Sequence, residues 1–346
     1  MSRTLASRTI AVLAFTTALA ADAQTDVSPP RRALAATVAV VPGVVVPGLG
    51  HFVAGEPRTG RRLLLTGGIG LGTVVASAVG LALTGASSRT VAPLAIGTVF
   101  GFGTLLSSVL ADLYGVVVPG SARGRPAEAP RLQAELGFRY VYDPTFSYRA
   151  FAATRLEARW GRLRLAPASW IALDDDNQRF ELPLGWRLTG DGRSHLELGA
   201  GLVFHRYGSE AFSTTTGEIV LSGRLDLARL AEPLRGAFAE LGAGVALGLV
   251  RHHDLTTEPT DLLLASAAFG FYLGDGRGEI ALTYDHRHDG FAAGLKMPGL
   301  GSGPAGHFGL RGRVSIWRQW GVLVDGQVGS AYVVGLSAVY RHGVAR

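Results

Sequence analysis

The sequence predicts an all-β membrane fold: an up-and-down antiparallel transmembrane β-barrel of about 12 strands, preceded by an apolar α-helical hairpin. Three observations carry this. Apolar residues alternate with polar or glycine residues at period two, again and again, between 131 and 346. The turn signals between these stretches are tight and loose by turns. Two long apolar runs stand ahead of them, within 63–118.

Taken in order, residues 1–24 read as an export signal. Arg3 and Arg8 give the charged start, Ile10 to Leu19 the apolar core, and Ala18-Leu19-Ala20 or Ala21-Asp22-Ala23 a small-residue cleavage site. Residues 25–62 form a polar to interfacial segment. Its run from Ala33 to Ala54 is interrupted by Pro42-Gly43 and Pro47-Gly48, which argues against a straight spanning helix. Arg58, Arg61 and Arg62 precede the hairpin at 63–118, whose arms are long enough to cross a bilayer. Gly68, Gly72, Ala76, Gly80, Gly97 and Gly101 recur along the arms, as close helix packing in lipid requires. Pro119-Gly120 ends the hairpin, and a polar linker, 119–130, leads to the β region.

Strands are expected at 131–142, 147–160, 162–173, 178–189, 195–207, 216–227, 236–251, 260–273, 278–288, 305–317, 319–329 and 331–342. In the first, Leu132, Ala134, Leu136, Phe138, Tyr140 and Tyr142 share one face, and Gln133, Glu135, Gly137 and Arg139 the other. Phe180, Leu182, Leu184, Trp186 and Leu188 repeat the pattern against Glu181, Gly185 and Arg187. Every second connection is mostly tight, as at Gly161, Asp191-Gly192 and Asp275-Gly276, while 289–304 is the longest. Such asymmetry fits a barrel with short turns on one side of its membrane.

Composition agrees. The chain has 346 residues, 47% hydrophobic and only 17% charged, with 48 glycines and no cysteine. Absence of cysteine excludes a disulfide framework, thiolate catalysis and cysteine metal sites. The net charge of +6 comes almost wholly from arginines spread along polar strand faces (Arg139, Arg155, Arg187, Arg224, Arg311, Arg313). That dispersion points away from nucleic acid and towards a lumen, where Glu135, Glu157, Glu181, Glu218 and Asp226 are expected to pair with them.

Two stretches resemble known membrane proteins. Pro47-Gly48-Leu49-Gly50-His51-Phe52-Val53-Ala54-Gly55 resembles a motif of small bacterial membrane proteins, where it introduces a helical hairpin after an interfacial turn. Tyr332, Val334, Leu336, Ala338 and Tyr340 resemble the terminal strand of bacterial outer-membrane β-barrel proteins. The second resemblance implies an outer-membrane location, barrel-assembly machinery as a partner, and lipid and lipopolysaccharide as surroundings. Apolar helices are normally kept in the inner membrane, and a linker of about a dozen residues spans only ~40 Å. The helices are therefore expected to pack on the barrel. The alternative is an inner-membrane-anchored periplasmic β-domain with inverted strand faces.

One ionisable cluster invites chemistry: Tyr284-Asp285-His286-Arg287-His288-Asp289, with His307 across the longest loop. The plainest reading is a charged and aromatic rim. A metal reading uses His286, His288, His307 and Asp289 as ligands. A catalytic reading rests on a loose resemblance to outer-membrane lipid A deacylases, which implies His286 as base; His288 stands where the nucleophilic serine belongs, leaving Ser302 as substitute. Asp174-Asp175-Asp176-Asn177 reads as an acidic hairpin loop rather than a calcium site. No other catalytic signature occurs, and no cofactor is expected. The sequence thus points to a barrel with a structural, pore or lipid-interaction role, with a lipid-modifying hydrolase as the rival.

Overall fold

A computed structural model describes residues 28–85, 87–143, 149–208, 212–252, 258–295 and 305–343, with backbone alone at 88, 89, 252 and 258. The expected signal, the loop holding Ser302, and His253-Asp254 lie outside these residues.

Four helices come first: α1 (Pro29–Val40), α2 (Leu49–Ala54), α3 (Pro57–Leu83) and α4 (Ser88–Val117). The apolar run 33–54 does not span, since turns at 41–48 divide it. Gly48 there adopts φ 97°, and a Cβ would sit 2.2 Å from the carbonyl oxygen of Gly60. Only glycine fits both demands. The carboxylate of Asp112 on α4 then receives the whole turn: the N–H groups of Gly48, Gly50 and His51 donate to it at 2.8–3.1 Å, and His51 Nδ1 at 2.6 Å. Both side chains are wholly buried. A buried carboxylate is tolerable only when saturated with donors in this way.

The β region comprises β1 (Leu132–Tyr142), β2 (Ala150–Trp160), β3 (Leu163–Leu165), β4 (Ala168–Ala172), β5 (Gln178–Gly190), β6 (His195–Tyr207) and β7 (Phe212–Asp226). It continues with β8 (Ala237–His252), β9 (Glu258–Leu273), β10 (Gly278–Asp285), β11 (His307–Trp317), β12 (Trp320–Val328) and β13 (Tyr332–His342). Neighbours in sequence pair antiparallel, and β1 closes on β13 from Leu132↔His342 to Tyr142↔Tyr332. Both β3 and β4 pair with β2 and β5, so they are halves of one stave and the barrel has twelve. The break falls at Pro167, which has no N–H for the ladder. Its carbonyl still accepts from Leu156 N–H at 2.9 Å.

The expected strands also differ at several of their ends. The strand expected over 216–227 begins earlier, at Phe212. The one expected over 278–288 stops at Asp285, and that over 305–317 begins at His307. His286 to Asp289 therefore belong to a loop that turns inwards, not to a strand.

The outer face carries the apolar alternation. Leu136, Leu247 and Leu336 are 67%, 68% and 57% exposed. Each leucine left in water would forgo roughly 1.5–3 kcal/mol, so a belt of them is a lipid-facing surface. The inner face carries arginines, acids and glycines. Glycine leaves room for long side chains to lie flat on the wall: a Cβ at Gly335 would run into the Arg139 guanidinium, and one at Gly185 would lie 2.3 Å from Glu197 Oε1.

The hairpin packs on the outside of this wall. α3 and α4 meet at Gly70 and Gly101, where a Cβ on either would approach the other's carbonyl oxygen to 2.7 or 2.6 Å. α4 lies over β8 and β9, with Gly103 against Leu241 and Ala267. At its C-terminal end Tyr114 and Ala111 join Leu63, Leu234 and Ala237 in one core, with Phe269 and Phe271 against it. Helices and barrel thus occupy the same layer.

Candidate functional site

A chamber of about 550 Å³ occupies the lumen. Its wall carries nine arginines: Arg139, Arg155, Arg159, Arg179, Arg224, Arg287, Arg311, Arg313 and Arg341. Against them stand six carboxylates: Glu135, Glu157, Glu181, Glu279, Asp285 and Asp325. Strand pitch explains the placement, because every second residue points inward. Most of these groups are paired. Arg139 binds Asp325, Arg159 binds Glu157 at 2.6 Å, and Arg179 binds Glu181 at 2.7 Å. Arg224 bridges Glu240 at 2.7 Å and Glu279 at 2.9 Å, while lying 3.7 Å over the ring of Phe238.

Glu157, Glu181 and Glu218 are paired as expected, but with Arg159, Arg179 and Arg287 rather than the arginines expected, of which Arg155 alone reaches Glu157, at 3.9 Å. Expectation and structure part further at two acids. Glu135 accepts from Gln133 Nε2 at 2.7 Å. Asp226 caps a short turn, accepting the N–H of Ala228 at 3.0 Å. Both belong to the polar face as alternation predicts; only their partners depend on register.

The barrel end that carries the start of β1 and the end of β13 (the near end) is crossed by the linker. Arg125 N–H donates to Gly274 O at 2.7 Å, and Arg341 donates to Glu128 O at 2.9 Å. Pro126, Ala127, Ala129 and Pro130 form part of the chamber wall. This strap runs from the β9–β10 turn past Gly192 of the β5–β6 turn to β1, across the mouth.

At the far end the described part of the β10–β11 connection, 286–295, folds into the lumen. Phe291 enters the lumen and stacks on Trp170 at 5.1 Å, tilts against Phe151 at 4.7 Å, and meets the edge of His205 at 4.9 Å. Phe291 and Ala292 join Val141, Phe151, Ala172, Ala331 and Val333 in a buried cluster. Arg287 pairs with Glu218 and Asp289, and Arg179 donates to the carbonyl of Asp289 at 2.7 Å. These contacts hold the loop on both flanks. The Asp289 and Glu218 carboxylates hold Arg287 firmly protonated against its desolvation.

The candidate residues fall around this plug. His286 Nδ1 lies 3.1 Å from the Tyr284 hydroxyl, which accepts from the N–H of Gly306. The rings of His286 and His288 meet at 5.0 Å, as their shared face implies. Burial pushes both imidazoles below their ordinary pKa, and each is opposed by a neighbouring histidine, His288 acting on His286 and His307 on His288. His307 lines the chamber. His288 Nε2, His307 Nδ1 and His205 Nδ1 are buried with no hydrogen-bond partner among the described residues. Asp289 serves Arg287 and Arg179 instead of the histidines. Among the described residues no three His, Asp or Glu side chains converge to hold a metal ion. Ser302 lies outside them. In the β4–β5 turn Asp175 accepts the N–H of Asn177 at 2.6 Å, and Asn177 Oδ1 meets His205 Nε2 at 2.9 Å.

Two features escaped the sequence: the strap and the Phe291 wedge. A signal existed for each. The Pro-Ala composition of 126–130 is unlike a solvated linker, and Phe291-Ala292-Ala293 is an apolar triplet inside an otherwise polar loop.

No protein-family model and no curated protein matches the chain. Among solved structures it is similar to the KdgM porin in complex with disordered oligogalacturonate, at 8% identity and TM-score 0.39, covering 60% of this chain and 98% of that one. It is similar to the outer membrane protein Omp33 of Acinetobacter baumannii, at 8% identity and TM-score 0.34, covering 61% and 98%. It is also similar to the translocator domain of the autotransporter NalP from Neisseria meningitidis, at 14% identity and TM-score 0.34, covering 61% and 87%. The chain's own architecture is a closed twelve-stave antiparallel barrel with a docked helical hairpin, the fold of a transmembrane β-barrel.

Proposed function

We propose that the protein is an outer-membrane channel for small charged solutes, held shut by the β10–β11 loop. The observation that carries this reading is the chamber: a hydrated-size cavity with nine arginines against six carboxylates between two closures. A barrel serving only as a wall is better stabilised by a packed apolar lumen, since buried ion pairs seldom repay their desolvation. A charged chamber under a removable wedge suits transit.

The rest of the expectation belongs to the same proposal. Residues 1–24 direct export and are removed. The near end faces the periplasm, assembly machinery reads the last strand, and lipopolysaccharide surrounds the far rim. The test is planar-bilayer recording of the refolded protein. Wild type should show rare, brief openings, and Phe291→Ala should raise open probability severalfold. If neither wild type nor Phe291→Ala ever conducts, the channel reading fails and a structural barrel remains.

A further inference from the structure

The pairing in the chamber is uneven, and the residue of positive charge has an address. Among the described residues Arg155 on β2 reaches only Glu157, at 3.9 Å, and Arg311 on β11 only Glu240, at 3.9 Å. Their side chains are 42% and 43% exposed although they point into the lumen. Every other chamber arginine holds a carboxylate or a carbonyl at 3.4 Å or less.

Register places the two at similar height on the chamber wall, four staves apart. Paired residues lead from Arg311 through Asp325, Gly335 and Arg139 to Phe151. Strands tilt in a closed barrel, so this row climbs towards the far end as it passes from β11 to β2. Arg155 lies back towards the mouth from Phe151 on β2, which returns it to the height of Arg311. Glu135, the register partner of Arg155, is engaged by Gln133. Arg313, one inward position nearer the mouth than Arg311, adds a third guanidinium, 3.4 Å from Glu279.

We infer that Arg155 and Arg311 form a binding site for a small dianion, of the dicarboxylate or phosphate class, within the channel proposed above. Two guanidinium forks on separate walls offer planar, two-point recognition at each end of such a solute. A monoanion satisfies only one fork, and a neutral solute neither.

Titration calorimetry on the detergent-refolded full chain tests this, with succinate and inorganic phosphate as separate arms and glucose as the neutral control. Saturable binding in either arm is expected, and the responding arm names the ligand class. Arg155→Gln with Arg311→Gln should weaken it roughly tenfold or more. Arg187→Gln, an inward arginine outside the chamber wall, should leave it unchanged. A shifted unboiled gel band confirms that each variant is folded; should the double variant misfold, Arg155→Lys and Arg311→Lys singly take its place, each with a smaller loss. Absence of dianion binding, or binding indifferent to these substitutions, overturns the site. The two readings fail separately: a protein that conducts without binding dianions sinks the site alone, and one that binds them without ever conducting sinks the channel alone.

Discussion

The two ends of the lumen are closed by different physics. At the far end an apolar wedge, Phe291, sits among aromatic rings, near imidazoles of which His205 Nδ1, His288 Nε2 and His307 Nδ1 have no hydrogen-bond partner among the described residues. At the near end the strap is held by backbone hydrogen bonds and a salt bridge whose side chains are 71% and 85% exposed. Behind that strap stands the hairpin, fixed through Asp112, the most completely satisfied polar group at that end. The far closure rests on side-chain contacts of one loop, chiefly Phe291 among its rings. The near closure is made of chain that is tied at both its ends. For the proposed channel, the difference assigns gating to the far end and anchoring to the near end.

The comparison can be broken most severely at Asp112. Asp112→Ala leaves three backbone donors and the His51 imidazole buried without an acceptor, a loss of about 3–5 kcal/mol to the hairpin. Limited proteolysis should then cut within 119–130 while the barrel band on an unboiled gel persists. Protection equal to wild type would mean that the hairpin does not anchor the strap.

Next in size is the wedge. Phe291→Ala should cost the closed loop about 3–5 kcal/mol at most, less where the loop can settle. That loss should appear as conductance, with global melting unchanged. A lower melting temperature with no change in conductance would make Phe291 a core residue of the barrel.

A pH titration sharpens the contrast further. His286 and His288 have depressed pKa values in the closed loop, so the closed state holds them neutral. Above the ordinary histidine pKa of about 6.5 they cost nothing; as pH falls below it, the released loop takes up protons that the closed loop refuses, and closure weakens. Asp285 and Asp289 oppose this trend, while His307 and the Arg287 and Arg179 guanidiniums near the same loop reinforce it. Open probability should therefore rise from pH 7.5 to pH 5, and His288→Gln should flatten the rise. A pH profile identical in the variant would exclude His288 from the response.

The smallest effect is expected at Arg125. Arg125→Ala removes an exposed pair worth about 0–1 kcal/mol. Thermal stability and strap protection should barely move, because Arg125 N–H still donates to Gly274 O. A large loss would show that the strap depends on side chains after all.

Several of these features were legible in residue order. His286 and His288 share a face and their rings do meet; Arg287 and Asp289 share the other and do pair. Glu135 and Asp226 were legible as polar-face residues but not as to partner, since a partner is chosen by cross-strand register and side-chain reach.

The sequence by itself determined the barrel, its staves and the two faces of its wall, because alternation is written residue by residue and lipid accepts only one face. It determined, too, that the hairpin must begin with a turn, through Pro42, Pro47 and Gly48. Tertiary structure alone decided what Asp112 is for, where Phe291 goes, and which arginines stay underpaired. The first two depend on groups brought together across 61 to 140 positions of chain. No local pattern encodes such meetings; closure of the barrel does.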